Sequence, residues 1–392
     1  MAPTDRSNLE GLDYRSFPFY RILTKGRGSV EVGGWKFIFV LAALAAMAIG
    51  SLASAVFSKE GDDILENLKL AFLESMVFLV ALNEYSCQES YTKLVEFIGK
   101  CRRTLRYDLP GEELIVSKAY DSAKGEVKFY MLVFFMNYPS MLLARSVTDG
   151  LSGKSWKKLP VPWVLPSQDS IFQFTAVLVL QVVAIGFSHC LGVTGMCFST
   201  ITTQITALYD VLLLGLERID ERAVLTMKSR QLGYEESMSL CLRESMAHLR
   251  ELLKEINSET SHLETSFFSL TLHISMIMAL EAYPLIKEGC TVGAAIKGVV
   301  FLSIQIMCTY IVCNRMEMMS DKTTQLFYTL YNTPWFNCDT SYRRVLLNGL
   351  TLTRKPTLIK GKYFQGLTAT RATFYTSITN SFNILNMMRR MM

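Results

Sequence analysis

The sequence predicts an all-α membrane protein with seven transmembrane helices, an intracellular N-terminus and an extracellular C-terminus. Three observations carry that prediction. Half of the 392 residues are hydrophobic and only 19% are charged, with mean hydropathy +0.24; a soluble domain carries about 25% charged residues. The apolar residues gather in long blocks, each of a length that crosses a hydrocarbon core of about 30 Å. Lys and Arg are spread unevenly between those blocks. With the N-terminus inside, the inner segments hold about 27 and the outer segments about 7, the positive-inside pattern. The reverse orientation inverts the ratio.

Residues 1–34 carry Arg6, Arg15, Arg21, Lys25 and Arg27 and read as a cytosolic segment. No cleavable signal is expected there, because the polar leader is too long for one. The first span covers 35–57, with Trp35 and Lys36 as interfacial anchors. A short acidic turn leads to the second span, 65–86, and a polar, basic segment follows over 87–125. The third span is 127–147, and Pro139 is expected to kink it. Residues 148–169, rich in Gly, Ser and Pro, form a loop before the fourth span, 171–197.

Helical periodicity does not stop at that boundary. Ile205, Leu208, Leu212, Leu216 and Ile219 continue it into charged sequence. After a break near Gly233 it resumes at Leu242, Met246, Leu249, Leu253 and Ile256, in steps of 4, 3, 4 and 3. Such steps make a heptad-like seam. Two helices within 198–262 are therefore expected to extend beyond the membrane and pack together. The seam serves that packing or a partner interface. The fifth span is 263–286, the tight turn KEGC joins it to the sixth, 291–313, and the seventh is 367–388. Between the last two lies a cytosolic anchor region, 314–366.

Catalytic and metal chemistry find no support. The nine cysteines form no CxxC pair, and His189, His248, His262 and His273 do not sit at ligand spacing. GxSxG, HExxH and Walker motifs are missing. No catalytic residue, metal or cofactor is expected, and the chain does not read as an enzyme. The basic residues flank apolar blocks, which argues against a nucleic-acid partner. Glu74, Glu281 and Lys297 fall within spans, where an ionisable group costs roughly 2.5–3.5 kcal/mol at the centre. Glu281 and Lys297 lie within snorkelling reach of the surface. Glu74 is central and must face protein or a cavity.

Aromatic, sulfur and hydroxyl side chains gather in the outer halves of the spans: Phe72 and Met76, then Met136, Tyr138 and Met141, then Phe172 and Thr175, then Ser275, Met278 and Tyr283. Mobile thioethers and rings suit a cavity for a small apolar ligand, with a hydroxyl or two for orientation. Plain interhelical packing fits the same composition. In the last segment Thr376, Thr379, Asn383 and Asn386 recur at steps of three and four, so one helical face is polar. Hydrocarbon satisfies neither hydroxyls nor amides, so that face must meet protein or water. The helix is expected to line a path through an oligomer.

The C-terminal residues carry a family pattern. Tyr331 and Trp335 stand in a Tyr-x-x-x-Trp order, followed by Arg343-Arg344, Arg354-Lys355-Pro356, Gly361-Lys362-Tyr363-Phe364, Leu367 and Phe374. It ends in the run Ser381-Phe382-Asn383-Ile384-Leu385. This resembles the C-terminal signature of insect odorant receptors, and the length, seven spans and inside N-terminus agree with that family. The resemblance implies an odorant-gated, non-selective cation channel with a volatile organic ligand in the outer half of the bundle. It implies a tuning subunit that assembles as a hetero-tetramer with the shared odorant co-receptor, in contact with membrane lipid, in the plasma membrane of olfactory sensory neurons. The cytosolic ends of spans four to six and a helix over 320–356, with Tyr331, Trp335, Arg343 and Arg344, become the subunit anchor. Ungapped alignment puts Leu385 at the outer hydrophobic constriction, with Phe382 one turn below. An ideal helical wheel, however, sets Leu385 opposite the polar stripe.

Three other readings stand beside this one. A gustatory receptor would share fold and channel activity but sense a contact tastant. A G-protein-coupled receptor needs an outside N-terminus. A transporter would be expected to show inverted repeats and broken helices, of which none is visible.

Overall fold

The computed structural model describes residues 30–57, 64, 67, 68, 70–72, 74, 75, 78, 79, 93, 94, 96–102, 104, 106–151, 171–188, 190–286, 292–358, 360, 361 and 364–391. Helix α1 is Val30–Phe57, and the described residues between 64 and 104 are helical. Then follow α2 (Glu112–Leu151), α3 (Ile171–Ser188), α4 (Cys190–Glu217), α5 (Ile219–Arg230) and α6 (Tyr234–Ile286). Helix α7 (Val292–Tyr331) leads through a 3-10 turn, Trp335–Asn337, into α8 (Thr340–Thr353). A two-stranded antiparallel ribbon, β1 (Lys360–Gly361) and β2 (Phe364–Thr368), precedes the last helix, α9 (Arg371–Met391).

Length sets the architecture. Helix α6 has 53 residues, about 80 Å at 1.5 Å per residue, far more than a bilayer core needs. Helices α2 and α7 have 40 residues each, about 60 Å. All three run from apolar into charged sequence, so one half of the bundle is a second, polar-surfaced body built on the same helices. We call that half the anchor end.

The anchor end has its own core. Leu208, Leu212 and Leu216 of α4 meet Leu242, Met246, Leu249 and Ile256 of α6, with Leu326 and Leu330 of α7 and Tyr342 of α8. All seven α4 and α6 residues just named come from the two periodic series in the sequence, and all are buried. The break expected near Gly233 is a turn in which Gln231 adopts the left-handed conformation, φ 55°. Two close approaches leave no room for a Cβ. One at Gly215 would strike the Tyr107 ring, and one at Gly349 would stand 2.5 Å from the Met246 sulfur.

The far half presents apolar side chains outward. Ile49, Leu52, Val56 and Phe57 of α1, Phe172 and Val179 of α3, and Val299, Val300 and Met307 of α7 are exposed. Water would penalise so many outward apolar side chains, whereas lipid does not. Two described stretches, 199–217 and 298–337, are long and apolar enough to cross a membrane. The first is mostly buried core, so outward-facing side chains mark the lipid surface better than hydropathy does.

Three boundaries differ from the sequence reading. The helix of the sixth span continues beyond 313, as α7 runs to Tyr331. The anchor helix expected over 320–356 is broken after Tyr331. Pro334 lacks the amide a helix needs there, and Asp339 starts α8 afresh by accepting the Tyr342 amide at 2.8 Å. The last helix begins at Arg371 rather than 367, because residues 364–368 pair as a strand with 360 and 361.

Candidate functional site

Three regions carry the residues singled out by sequence. In the far half, Ser275, Met278 and Tyr283 of α6 are buried, as is Glu281 beside them. The Ser275 hydroxyl donates to the Thr271 carbonyl at 3.1 Å, and Thr271 donates to Phe267 at 2.8 Å. Both protons are spent on the helix itself, which leaves the Ser275 oxygen as an acceptor only. Phe72 is half-buried. Met76 lies outside the described residues, and Met136, Tyr138 and Met141 belong to α2 with side chains outside the description.

Phe172 and Thr175 are not buried with the α6 residues. Both are exposed on α3, Phe172 by 80%. Gln181 marks the inward face, being fully buried. At 100° per residue Phe172 is half a circle away from it, on the outward face of α3. Glu74 has the opposite fate. It shares an inward face with Asn67, Leu70 and Ala71, is fully buried, and both carboxyl oxygens lack a hydrogen-bond partner among the described residues.

The anchor end holds the second region. Tyr331 is 57% exposed at the end of α7. Trp335 instead packs, half-buried, against the chain's own core. Arg343 donates to the carbonyls of Phe336 at 3.1 Å and Trp335 at 3.4 Å, so it secures the 3-10 turn. Arg344 is exposed. Sequence reasoning missed Tyr328, Phe336 and Leu347, whose large apolar side chains are exposed around these residues. Helical phase in α8 was the available signal. Tyr342, Leu346, Gly349 and Thr353 take the buried face, which turns Leu347 outward.

A buried cluster fixes the other side of this body. The Arg222 guanidinium lies 3.8 Å above the Tyr107 ring centroid, donates to Ser245 at 2.8 Å and to the Gly215 carbonyl at 3.0 Å, and pairs with Glu244 at 3.5 Å. The Tyr107 hydroxyl meets His248 Nδ1 at 3.0 Å. Burial pushes the Tyr107 hydroxyl up to about 12 and the Cys101 thiol likewise to about 12. Neither group titrates near neutrality, which leaves Cys101 a packing residue.

Burial, and then Arg222, hold the His248 imidazole below its ordinary 6.5, while Glu244 and Glu251 pull the other way. The fold thus binds this proton less readily than the unfolded chain does. Its stability is full above the ordinary histidine range and declines as pH falls through it. Thermal unfolding in detergent should move down between about pH 7.5 and about pH 5.5. His248→Gln should flatten that part of the dependence; an unchanged slope would exclude His248 as its source.

The third region is α9. Thr373, Phe374, Ser377, Ser381 and Leu385 form its buried face, and they pack on α6 and α7. Thr376, Thr379, Asn383 and Asn386 are exposed. Phe382 and Met387 share that outward side, at 59% and 56% exposure. Thr376 and Thr379 donate to the carbonyls four residues back, at 2.9 and 3.0 Å, and so present hydroxyl oxygens outward. Leu385, the expected constriction residue, is only 6% exposed. It lies on the face packed within the chain.

These features describe a predominantly helical chain with long apolar helices, a self-packed anchor end and a terminal helix whose polar face is uncovered. The family model described as "7tm Odorant receptor" matches residues 90–370, and the chain belongs to that family. It is a seven-transmembrane all-α protein of the receptor class rather than of an enzyme family. Its fold is similar to that of the insect olfactory receptor OR5 from Machilis hrabei. The structure of that receptor in complex with eugenol matches with TM-score 0.73 at 10% identity, over 91% of this chain and 88% of that one. A second OR5 structure matches with TM-score 0.70 at 11% identity, over 90% and 87%. A search of curated proteins found no match.

Proposed function

We propose that this odorant receptor is the ligand-specific subunit of an odorant-gated, non-selective cation channel. It assembles as a tetramer with the shared co-receptor in the plasma membrane of olfactory sensory neurons, N-terminus inside. The odorant occupies the far half of the bundle, near Phe72, Met278 and Tyr283. The observation that carries this reading is the uncovered polar face of α9: a spanning helix that packs Phe374 and Leu385 inward and leaves Thr376, Thr379, Asn383 and Asn386 outward needs water or another subunit there. The path then follows that face, and any dry ring on it comes from Phe382 or Met387. Leu385 remains a constriction only if α9 rotates on assembly.

The test is co-expression with and without the co-receptor, against a panel of volatiles that includes eugenol. Odorant-evoked cation current is expected from the pair. Tyr283→Phe should reorder the ligands by about two- to tenfold in potency, the scale of one modest contact, with surface expression intact. Currents that need G-protein signalling, or an unpermeabilised epitope tag stained at Met1, would overturn the reading.

A further inference from the structure

One turn of α7 holds two different neighbours on two sides. On one side the Arg315 guanidinium pairs with Glu126 of α2 and donates to Ser122 at 2.9 Å. Glu126 is itself buried and accepts from Ser199 and Thr203 of α4. On the other side Glu317 accepts the backbone N–H of Arg371, the first residue of α9, at 2.6 Å. The Arg371 side chain donates through Nε to Asn314 Oδ1 at 2.9 Å and stands 3.7 Å from Glu317. Asn314 and Glu317 are three residues apart and share a helical face; Arg315 points elsewhere.

The chemistry of the second contact is directional. The first amides of a helix have no partner within it, and the helix dipole puts positive potential there. A carboxylate from α7 meets both the free amide and the guanidinium of the same residue. The first turn of α9 is also held by local hydrogen bonds, the Thr373 amide donating to the Thr370 hydroxyl at 3.4 Å and the Thr373 hydroxyl to the Thr368 carbonyl, and by an edge-to-face contact of Phe374 with Tyr310 of α7 at 5.5 Å between ring centroids. Glu317 and Asn314 are thus the described side chains that tie the first residue of α9 to another helix.

We propose that Asn314, Glu317 and Arg371 form a coupling joint, which positions the final helix and passes movements of α2 and α4 to it through this turn of α7. The coupling part rests on the channel reading above; the positioning part does not. Displacement of α2 or α4 pulls on Arg315 through Glu126. The turn carries Glu317 with it, and the start of α9 follows.

The joint is tested in the full chain co-expressed with the co-receptor, by two readouts. Glu317→Ala should speed amide hydrogen exchange in the first two turns of α9 and lower the maximal odorant-evoked current by about two- to thirtyfold. Potency should change less than the maximum. Glu317→Gln keeps an acceptor oxygen but no charge and should fall between. The pair Glu317→Arg with Arg371→Glu should recover part of the maximum lost in either single variant, which a merely misfolded chain would not do. Unchanged exchange in Glu317→Ala would overturn the joint, as would a normal maximal current in the assembled complex. If the wild-type pair gives no odorant current at all, the channel reading fails, and the exchange readout alone decides the positioning role.

Discussion

Phe336→Ala should leave the chain folded and remove most of its co-purification with the co-receptor. Phe336 is 63% exposed, and Tyr328, Tyr331 and Leu347 around it are also exposed. They sit on a body whose own core is complete without them. A cluster of large uncovered apolar side chains on such a body marks a contact surface. Aromatic anchors at contacts commonly cost 2 kcal/mol or more when truncated, about thirtyfold in affinity. Trp335→Ala should behave differently. Its ring is packed against the chain's own core, so the loss appears first as stability, about 2 kcal/mol for a half-buried ring, less than the 3–5 of full burial. Thermal stability and co-purification measured on both variants separate the two roles. Normal co-purification of Phe336→Ala would move the contact surface off this patch.

Much of this arrangement was legible in the sequence, for reasons that can be traced to single positions. The seam from Leu242 to Ile256 reads directly because helical period and burial coincide in a self-packed helix. The polar stripe of α9 reads for the same reason in reverse. The outward orientation of Phe172 was not legible, because composition alone does not fix which face of a lipid-embedded helix points inward, as lipid and core accept the same side chains. The ribbon at 360–368 was hidden because short strands flanking a helix merge with its apolar run. The Arg315–Ser122 contact joins positions 193 residues apart in the chain, which no local period reports. Trp335 and Phe336 are adjacent, yet one is packed and the other uncovered. That difference arises in the 3-10 turn after Pro334, which no periodic pattern encodes.

Asn383→Leu should alter conduction where Leu385→Ser does not. Asn383 stands on the uncovered face of α9, and Leu385 lies on the packed face. In a path lined by that uncovered face, an amide that hydrates a passing cation is replaced by an apolar side chain, and narrow apolar segments exclude water. Single-channel conductance should fall several-fold, by about 1 kcal/mol of added barrier for each roughly fivefold loss, with odorant ranking preserved. Thr379→Leu should act in the same direction and less strongly, because its hydroxyl proton is already given to the Tyr375 carbonyl. Leu385→Ser opens a cavity and buries a hydroxyl inside the subunit, at a cost of about 3 kcal/mol. Its effect should be on expression and stability, with the permeability ratios of the surviving channels unchanged. A subunit-count control is needed, because in the proposed tetramer one altered helix among four dilutes every effect. Should Leu385→Ser raise the basal current or change permeability while Asn383→Leu conducts normally, α9 must rotate on assembly so that its packed face meets the path. If none of the three changes conduction in complexes known to contain the variant chain, the ions pass elsewhere and the polar face of α9 serves contact between subunits.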